Sequence, residues 1–297
     1  MRAEANSCSK STFLSFSLVS DSRVMADRRI KWLSPIQFGG SSFDAEVQSR
    51  AWKVRLEHLQ PSAMVCYEEQ MVSPSRYWLD KEIGAFAASL RSGSLVLDAG
   101  AGNQRYRGKF DGHRYESADF EMVDKKYEPS TYVCDLASIP VEDDRYDAVL
   151  FSQVMEHLPD PASVLAELRR VLKPGGTIFC SAPLFYEEHE KPYDFYRYTQ
   201  FGFRRLFEDA GLTVVETRWL EGFMGTAYLQ MTWLAKYMPL SPKALGGGIA
   251  GWTMAAVLVV LKPSLRLLAS LAARCDKNNR YTAKGYPSSY VVLALKP

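Results

Sequence analysis

The sequence predicts an α/β fold, in which a sheet of seven strands carries helices on both faces. Short apolar stretches of strand character alternate with stretches whose apolar residues recur every three or four positions. Acidic residues end three successive apolar stretches, at the carboxyl ends of strands, where sheets of this class bind ligands. A long acid-free segment before the last strand predicts a helical insertion.

The predicted helices come first. Residues 75–91 place apolar side chains on one helical face, and Ser73 and Pro74 are suited to begin that helix. A second helix over residues 161–172 has proline in its first turn. A third is predicted over residues 200–210.

The predicted strands are short and apolar. They cover residues 94–97, 113–118, 132–134, 146–151, 177–181, 212–216 and 290–295. The run Lys173–Gly176 is expected to stop the second helix, before the fifth strand begins at residue 177.

Four parts are predicted along the chain. Residues 1–72 form an N-terminal extension that is partly disordered, since its start is rich in serine and a second methionine follows at Met25. Residues 73–222 form the ligand-binding domain, residues 223–285 the helical insertion, and residues 286–297 the last strand.

Composition limits the classes of partner. The 297 residues carry a formal net charge of +2, which indicates no nucleic-acid partner. The five cysteines are far apart and form no CxxC pair, so reduced thiols and no metal site are expected. The sequence therefore predicts a cytoplasmic protein, with a place at the inner face of a membrane as a second option. No pattern indicates an oligomeric state.

The most informative motif is a glycine loop at the end of the first strand. Gly100 and Gly102 are separated by one residue, which permits a tight turn and a close approach of a ligand to the backbone. A dinucleotide-binding loop has a third glycine where this chain has Arg105. Asp98, just before the loop, would repel a pyrophosphate and attract an ammonium group. These departures favour a cationic nucleoside without phosphates.

Two further acids suit a nucleoside. Asp119 ends the second strand, 19 residues after Gly100, where a carboxylate accepts hydrogen bonds from ribose hydroxyls. Asp135 ends the third strand and could receive an adenine amino group.

Five sequence runs resemble, in the same order, the motifs of class I S-adenosylmethionine-dependent methyltransferases, within the branch related to ubiquinone-type and glycan-cluster enzymes. The runs are Leu97–Gly102, Cys134–Leu136 with Ile139–Pro140, Arg145–Val149, Glu156–Pro161 and Arg170–Gly176. They cover about residues 75–222, half of the chain. The resemblance implies a Rossmann-like seven-stranded methyltransferase sheet and S-adenosyl-L-methionine as the cofactor.

The resemblance also implies which residues hold that cofactor. They are Asp98, Gly100 and Gly102 for the methionine end, Asp119 for the ribose, Asp135 and the Leu136 backbone for adenine, and Ser152 and Gln153 as pocket lining. One departure concerns the loop after Gly102, where Asn103, Gln104 and Arg105 are bulkier and more basic than the Gly-Thr-Gly continuation common in the family.

Two histidines are candidates for catalysis. Methyl transfer from a sulfonium requires alignment of the acceptor, and a protonated oxygen or nitrogen acceptor must also lose its proton. His157 follows the fourth strand and His189 the fifth, both near the expected pocket. A purely structural role for His157 at a helix start is the alternative.

The segment 186–199, after the fifth strand, is dense in polar aromatic residues and resembles a stretch common in bacterial glycan-cluster methyltransferases. It predicts a lid over the acceptor, with Tyr193, Asp194, Tyr196 and Arg197 as substrate residues. A packed loop with satisfied hydroxyl groups is the alternative.

The insertion is apolar and basic. It has no acidic residue between Glu221 and Asp276, and residues 244–261 carry no charge, which is long enough to span a membrane. Pro263 is expected to end this helix, and the three glycines at 246–248 to weaken it. Three alternatives stay open: a helical cap packed on the domain, contact with the membrane interface through residues 223–275, and a spanning helix.

The sequence thus predicts methyl transfer from S-adenosylmethionine to a small-molecule acceptor, lipid-linked or glycan, at an oxygen atom. An NAD(P)-dependent oxidoreductase and a non-catalytic binding protein of the same fold are the alternatives.

Overall fold

The computed structural model describes residues 73–123 and 126–297; the extension predicted over residues 1–72 lies outside them. The described residues form one seven-stranded sheet. Its strands are β1 Leu95–Ala99, β2 Arg114–Asp119, β3 Tyr132–Val133, β4 Tyr146–Ser152, β5 Leu172–Pro183, β6 Thr213–Trp219 and β7 Ser289–Leu295. They lie in the order β3-β2-β1-β4-β5-β7-β6, with only β7 antiparallel to its neighbours. This order confirms the predicted Rossmann-like α/β fold.

Five α-helices accompany the sheet in the described part of the chain. They are α1 Pro74–Ser89, α2 Pro161–Val171, α3 Gln200–Asp209, α4 Phe223–Tyr237 and α5 Gly248–Asn278. The first three begin at polar caps: the side chains of Ser73, Asp160 and Thr199 each accept a hydrogen bond from a backbone N–H of the first turn. The helices predicted from periodicity are confirmed to within two residues at each end.

The sheet is buried on both faces. One face packs with α2 and α3 through side chains such as Val149 and Ile178, and the other packs with α1 through side chains such as Val96 and Phe179. Strand β1 is buried along its whole length, which explains why it is a continuous apolar run rather than an alternating one.

The parallel register brings the ends of three strands to one edge of the sheet. Asp98 of β1 pairs with Ser117 of β2 on one side and with Leu150 of β4 on the other. The loops that follow these strands therefore lie side by side, which is the arrangement that forms a ligand cleft in such sheets.

Strand β5 differs from its prediction. It begins at Leu172, which pairs with Tyr146, so the strand starts before residue 177 and includes the run Lys173–Gly176, whereas helix α2 ends at Val171, before that run, as expected. The pairing shifts between Tyr146 and Ala148, and Gly175 has a φ of +75°. A bulge therefore absorbs the glycines without ending the strand.

The predicted end of the long helix at Pro263 is also wrong. Helix α5 continues through Pro263 to Asn278, and the glycines 246–248 lie before or at its start. In the turn that the proline disturbs, the Ser264 hydroxyl donates to the Val260 carbonyl at 3.1 Å. Helix α5 packs against α4, and it is the one helix among the described residues that is long and apolar enough, by length and composition, to cross a membrane.

The insertion is fixed to the domain at the end of α5. The carboxylate of Asp276, buried in this last turn, accepts a hydrogen bond from Trp78 Nε1 of α1 at 2.8 Å. Alanine residues of the last turns, among them Ala269 and Ala272, are buried as well. The second half of α5 is therefore part of the folded domain.

Candidate functional site: a cleft at the carboxyl edge of the sheet

The glycine loop turns tightly because the residues around it leave no room for a side chain. Gly100 has a φ of +77°, and its N–H donates to the Ala118 carbonyl at 2.7 Å. A Cβ placed on Gly100 would lie 2.4 Å from a methyl carbon of Val154. Glycine at this position therefore follows from both the backbone conformation and the packing of the β4 loop against it.

Asp98 lies at the start of the loop with its carboxylate buried. Tyr115 Oη donates to Asp98 Oδ2 at 2.5 Å. Burial raises the pKa of Asp98 to about 7; the hydrogen bond from Tyr115 lowers it, and the charge of Asp119 raises it further. An ammonium group placed here would offset the cost of the buried charge.

Asp119 connects the second strand to the glycine loop. Its Oδ2 accepts from the Gly102 N–H at 2.8 Å and its Oδ1 from the Glu121 N–H at 3.0 Å. Each carboxylate oxygen can accept a second hydrogen bond, which leaves capacity for a ribose hydroxyl.

Two cavities meet at this edge. The smaller, of about 420 Å³, is lined by the predicted nucleoside residues Asp119, Asp135 and Leu136. The larger, of about 670 Å³, is lined by Asp98 and Gly102. Both are lined by Gly100, Gln153, His157 and Glu190. The cavities therefore form one cleft with a nucleoside end and a second end beyond the glycine loop.

The two residues after strand β4 lie as predicted. Ser152 lines the larger cavity and Gln153 lines both. Gln153 Nε2 donates to Ser181 Oγ of β5 at 3.2 Å, and its backbone has a φ of +56°. The amide is thus fixed against the neighbouring strand at the centre of the cleft.

The two histidines come together although 32 positions separate them in the sequence. The ring centroids of His157 and His189 are 4.6 Å apart, with the planes nearly perpendicular. Nδ1 of His157 lies 2.5 Å from the Tyr193 carbonyl, and Nδ1 of His189 lies 3.1 Å from the Glu187 carbonyl. Both rings line the larger cavity, and burial lowers the pKa of His157. Their predicted catalytic role stays a prediction.

Glu156 is a residue that sequence reasoning missed. It is 0% exposed, and neither carboxylate oxygen has a hydrogen-bond partner within the described residues. Burial raises its pKa to about 8. The sequence offers one indication of a role for Glu156, which is its position directly before His157 in the run Glu156–Pro161. Nothing in that run indicates that the Glu156 carboxylate is buried.

The segment 186–199 contains His189 and contacts His157 through the Tyr193 carbonyl. Its polar groups mainly hold the segment in place, because Arg197 makes a bidentate ion pair with Asp194 at 2.6 and 2.8 Å. Tyr196 Oη donates to the Pro159 carbonyl at 3.2 Å. Tyr193 lines the smaller cavity, whereas Asp194, Tyr196 and Arg197 line neither. The structure therefore places these three as residues that position the segment, and direct contact with an acceptor stays a prediction for Tyr193 alone.

Helix α4 forms a wall of the larger cavity, which the sequence did not predict. Tyr228, Leu229 and Thr232 line it, opposite the glycine loop and together with Arg76 of α1. No sequence pattern in the insertion distinguishes these residues from the rest of α4, so only the tertiary structure finds them.

Comparison with a family model covers the part of the chain that contains the glycine loop. Residues 97–180, which include the end of β1, the glycine loop and most of β5, match the family model described as a methyltransferase domain. This match indicates a methyltransferase domain of the class I S-adenosylmethionine-dependent type in this part of the chain, and enzymes of that type use S-adenosylmethionine as their cofactor. The oxidoreductase alternative is not favoured.

Several curated relatives match parts of the chain. A ubiquinone/menaquinone biosynthesis C-methyltransferase of Desulfotalea psychrophila is 46% identical over 48 residues, 16% of this chain and 20% of that protein. A tRNA (carboxymethyluridine(34)-5-O)-methyltransferase of Arabidopsis thaliana is 32% identical over 115 residues, 36% and 28% of the two chains. A ubiquinone biosynthesis O-methyltransferase of Acinetobacter baumannii is 29% identical over 128 residues, 37% and 51%. The chain spans about half or less of the length of these relatives.

Proposed function

We propose that this protein transfers the methyl group of S-adenosylmethionine to an oxygen atom of a small, lipid-linked or glycan acceptor at the inner face of a membrane. The observation that carries this proposal is that α4 has two roles. It lines the larger cavity through Tyr228, Leu229 and Thr232, and it packs against α5, whose other side is apolar and exposed.

The cofactor's parts match the two ends of the cleft. Asp98 offers a buried carboxylate for the ammonium group, and the Gly100 turn permits close approach of the methionine end to the backbone. Asp119 has acceptor capacity for ribose, and Leu136 offers a buried apolar side chain in the adenine region. The sulfonium supplies an activated methyl group.

The larger cavity supports the acceptor side of the reaction. The acceptor's oxygen attacks the methyl carbon with an electron pair, the C–S bond breaks, and the sulfur takes that bond's electrons. The hydroxyl proton leaves to water, directly or through a side chain. His157 lines both cavities and His189 lines the larger one beside it, so they are suited to hold an acceptor hydroxyl in line with the methyl group.

The exposed side of α5 supports a membrane location for the acceptor. Ile249 is 84% exposed and Trp252 is 70% exposed, and further apolar side chains along the helix are exposed as well. An apolar face of this length on a soluble surface is uncommon unless it contacts a partner or a membrane. The segment 223–275 contains basic residues and no acid, which favours an anionic lipid surface. Because Asp276 fixes the end of α5 to α1, contact in the plane of the interface suits the helix better than crossing.

The first prediction concerns the pH dependence of cofactor binding. S-adenosylhomocysteine, which keeps the ammonium group, should bind with an affinity that falls as pH drops below about 7, the pKa of Asp98 in the free protein. The affinity falls at low pH because the neutral Asp98 carboxyl must lose its proton before it can pair with the ammonium group. Below the pKa of Asp98, this lowers the affinity about tenfold for each pH unit. Above that pH the affinity should level off. Titration calorimetry over a series of buffers measures this.

Asp98→Asn is the matched control. It keeps the shape of the side chain, so it should bind S-adenosylhomocysteine more weakly and without the step near pH 7. A step that persists in Asp98→Asn would assign the titration to another group, and a wild-type affinity independent of pH would contradict the role of Asp98.

The second prediction concerns membrane association. The protein should sediment with vesicles that contain phosphatidylglycerol at low salt and less with pure phosphatidylcholine vesicles, because each basic residue near an anionic surface contributes about 1 kcal/mol. High salt should weaken the association in part. The double substitution Ile249→Glu with Trp252→Glu should abolish it and preserve binding of S-adenosylhomocysteine, since neither residue lines the cleft.

Phe201→Glu is the control for this prediction. Phe201 is an apolar residue on α3 that is 75% exposed and lies outside the insertion. Its replacement should leave vesicle binding unchanged. Equal loss in both variants, or self-association of the wild type without vesicle binding, would contradict membrane contact. Retention of the protein in vesicles after alkaline carbonate extraction would favour a spanning helix instead.

A further inference from the structure

A group of three side chains beside the larger cavity has the composition of a metal site: His157 and His189 line that cavity, and Glu156 is buried next to His157. Glu156, His157 and His189 each offer one ligand atom, and these atoms all lie within 4.8 Å of one another. The Glu156 Oε1 to His157 Nε2 distance is 3.9 Å. Two imidazole nitrogens and one carboxylate oxygen are a donor set that binds divalent transition ions and leaves other coordination positions open.

The imidazole rings are oriented as metal ligands usually are. In both histidines Nδ1 lies within hydrogen-bond distance of a backbone carbonyl, from Tyr193 and from Glu187. Those contacts fix each ring with its N–H on Nδ1, which leaves the lone pair of Nε2 for a ligand. Such an outer contact to a carbonyl is the common partner of a metal-bound histidine.

Glu156 supplies an independent observation. Both of its carboxylate oxygens are buried and have no hydrogen-bond partner among the described residues. A buried carboxylate in this state is costly unless a cation or donor pairs with it. The guanidinium of Arg197 is held by Asp194 in a bidentate pair and acts on Glu156 only through its charge at a distance. A metal ion bound among the three ligand atoms would provide the missing partner.

We propose that Glu156, His157 and His189 bind one divalent transition-metal ion, such as Zn²⁺, and that this ion coordinates the acceptor oxygen. The second half of the proposal rests on the proposed function; the first half does not. A coordinated hydroxyl loses its proton more readily, and because His157 and His189 line the larger cavity, the ion would hold the acceptor oxygen on that side of the cleft. The sequence did not predict this site, because its ligands come from two loops that only the fold brings together.

The test uses Co²⁺ as a spectroscopic probe on the full-length protein after dialysis against a chelator. We expect one Co²⁺ per chain, visible absorption typical of nitrogen and oxygen ligands, competition by Zn²⁺, and a rise in melting temperature, since the ion binds only the folded state. Glu156→Gln and His189→Gln should each weaken Co²⁺ binding by at least the roughly 10–100-fold that loss of an outer-shell partner alone typically causes.

His113→Gln is the matched control, because His113 contacts the Ala87 carbonyl and lines neither cavity. This variant should bind Co²⁺ as the wild type does. Unchanged Co²⁺ affinity in Glu156→Gln would overturn the site and would indicate a protonated carboxyl instead. An intense thiolate charge-transfer band would overturn it in favour of a cysteine site.

The metal site and the proposed methyl transfer can be tested independently of each other. Binding of S-adenosylhomocysteine should persist in Glu156→Gln, which also shows that the variant is folded. If Co²⁺ binds as expected but S-adenosylhomocysteine does not bind the wild type, the proposed function fails and the metal site stands. If turnover with an acceptor is unaffected by removal of the metal, the coordinating role is overturned.

Discussion

Gly100→Ala is expected to weaken the binding of S-adenosylhomocysteine by more than about 100-fold, which corresponds to about 2.8 kcal/mol. The added Cβ would lie 2.4 and 2.6 Å from two methyl carbons of Val154, so either the glycine loop or the start of the β4 loop must move. Gln153, next to Val154, lines both cavities, so this shift would distort the cleft where the cofactor binds. Titration calorimetry, with circular dichroism to confirm folding, measures the effect.

Gly93→Ala is the control that distinguishes the effect of the Val154 clash from the effect of the left-handed backbone conformation. Gly93 has a φ of +76°, almost the same as Gly100, but a Cβ there would meet nothing within 4 Å. Its replacement should therefore cost only the roughly 1–2 kcal/mol of stability that a left-handed conformation imposes on alanine, with cofactor affinity unchanged. Similar affinities in the two variants would show that the Val154 contact does not shape the site.

The central sheet could be predicted because its signals are local. Strands β4 and β5 contain short apolar runs, and parallel pairing of such runs requires a connection such as a helix between them, which the three-to-four periodicity of residues 161–172 indicates. The cleft followed from the same reasoning. Asp98 and Asp119 lie at the carboxyl ends of neighbouring parallel strands, so they must lie at one edge of the sheet regardless of the conformation of the loops.

Other features depend on contacts between distant parts of the chain. Whether Lys173–Gly176 turns or continues as a bulged strand is decided by pairing of Leu172 with Tyr146, which the sequence of the run does not show. Burial of Glu156 depends on the segment 186–199, about 30 positions later, whose Phe195 N–H donates to the Glu156 backbone carbonyl. The role of α4 as a cavity wall likewise arises only when the insertion folds back on the cleft.

The junction between the insertion and the last strand depends on one buried carboxylate. Glu221, just before α4, has its Oε1 within hydrogen-bond distance of the Ser288 N–H, the Ser288 hydroxyl at 2.6 Å and the Ser289 N–H at 3.0 Å. These donors lie at the start of β7, so one side chain joins the entry to the insertion with its return to the sheet. Burial raises the pKa of Glu221, and its hydrogen bonds oppose that rise.

Glu221→Leu should therefore lower the free energy of unfolding by about 2–6 kcal/mol, since two buried backbone N–H groups lose their acceptor at about 1–3 kcal/mol each. Glu221→Gln should be far milder, because its amide oxygen can accept from the same donors in a side chain of the same shape. Denaturant unfolding at fixed pH, followed by circular dichroism, measures both. Equal destabilisation by Leu and Gln would mean that the charge of Glu221 matters rather than its acceptor geometry. A stable Glu221→Leu variant would show that strand pairing alone holds the start of β7. The hydrogen bonds of Glu221 would then not be needed to position α4 at the cleft.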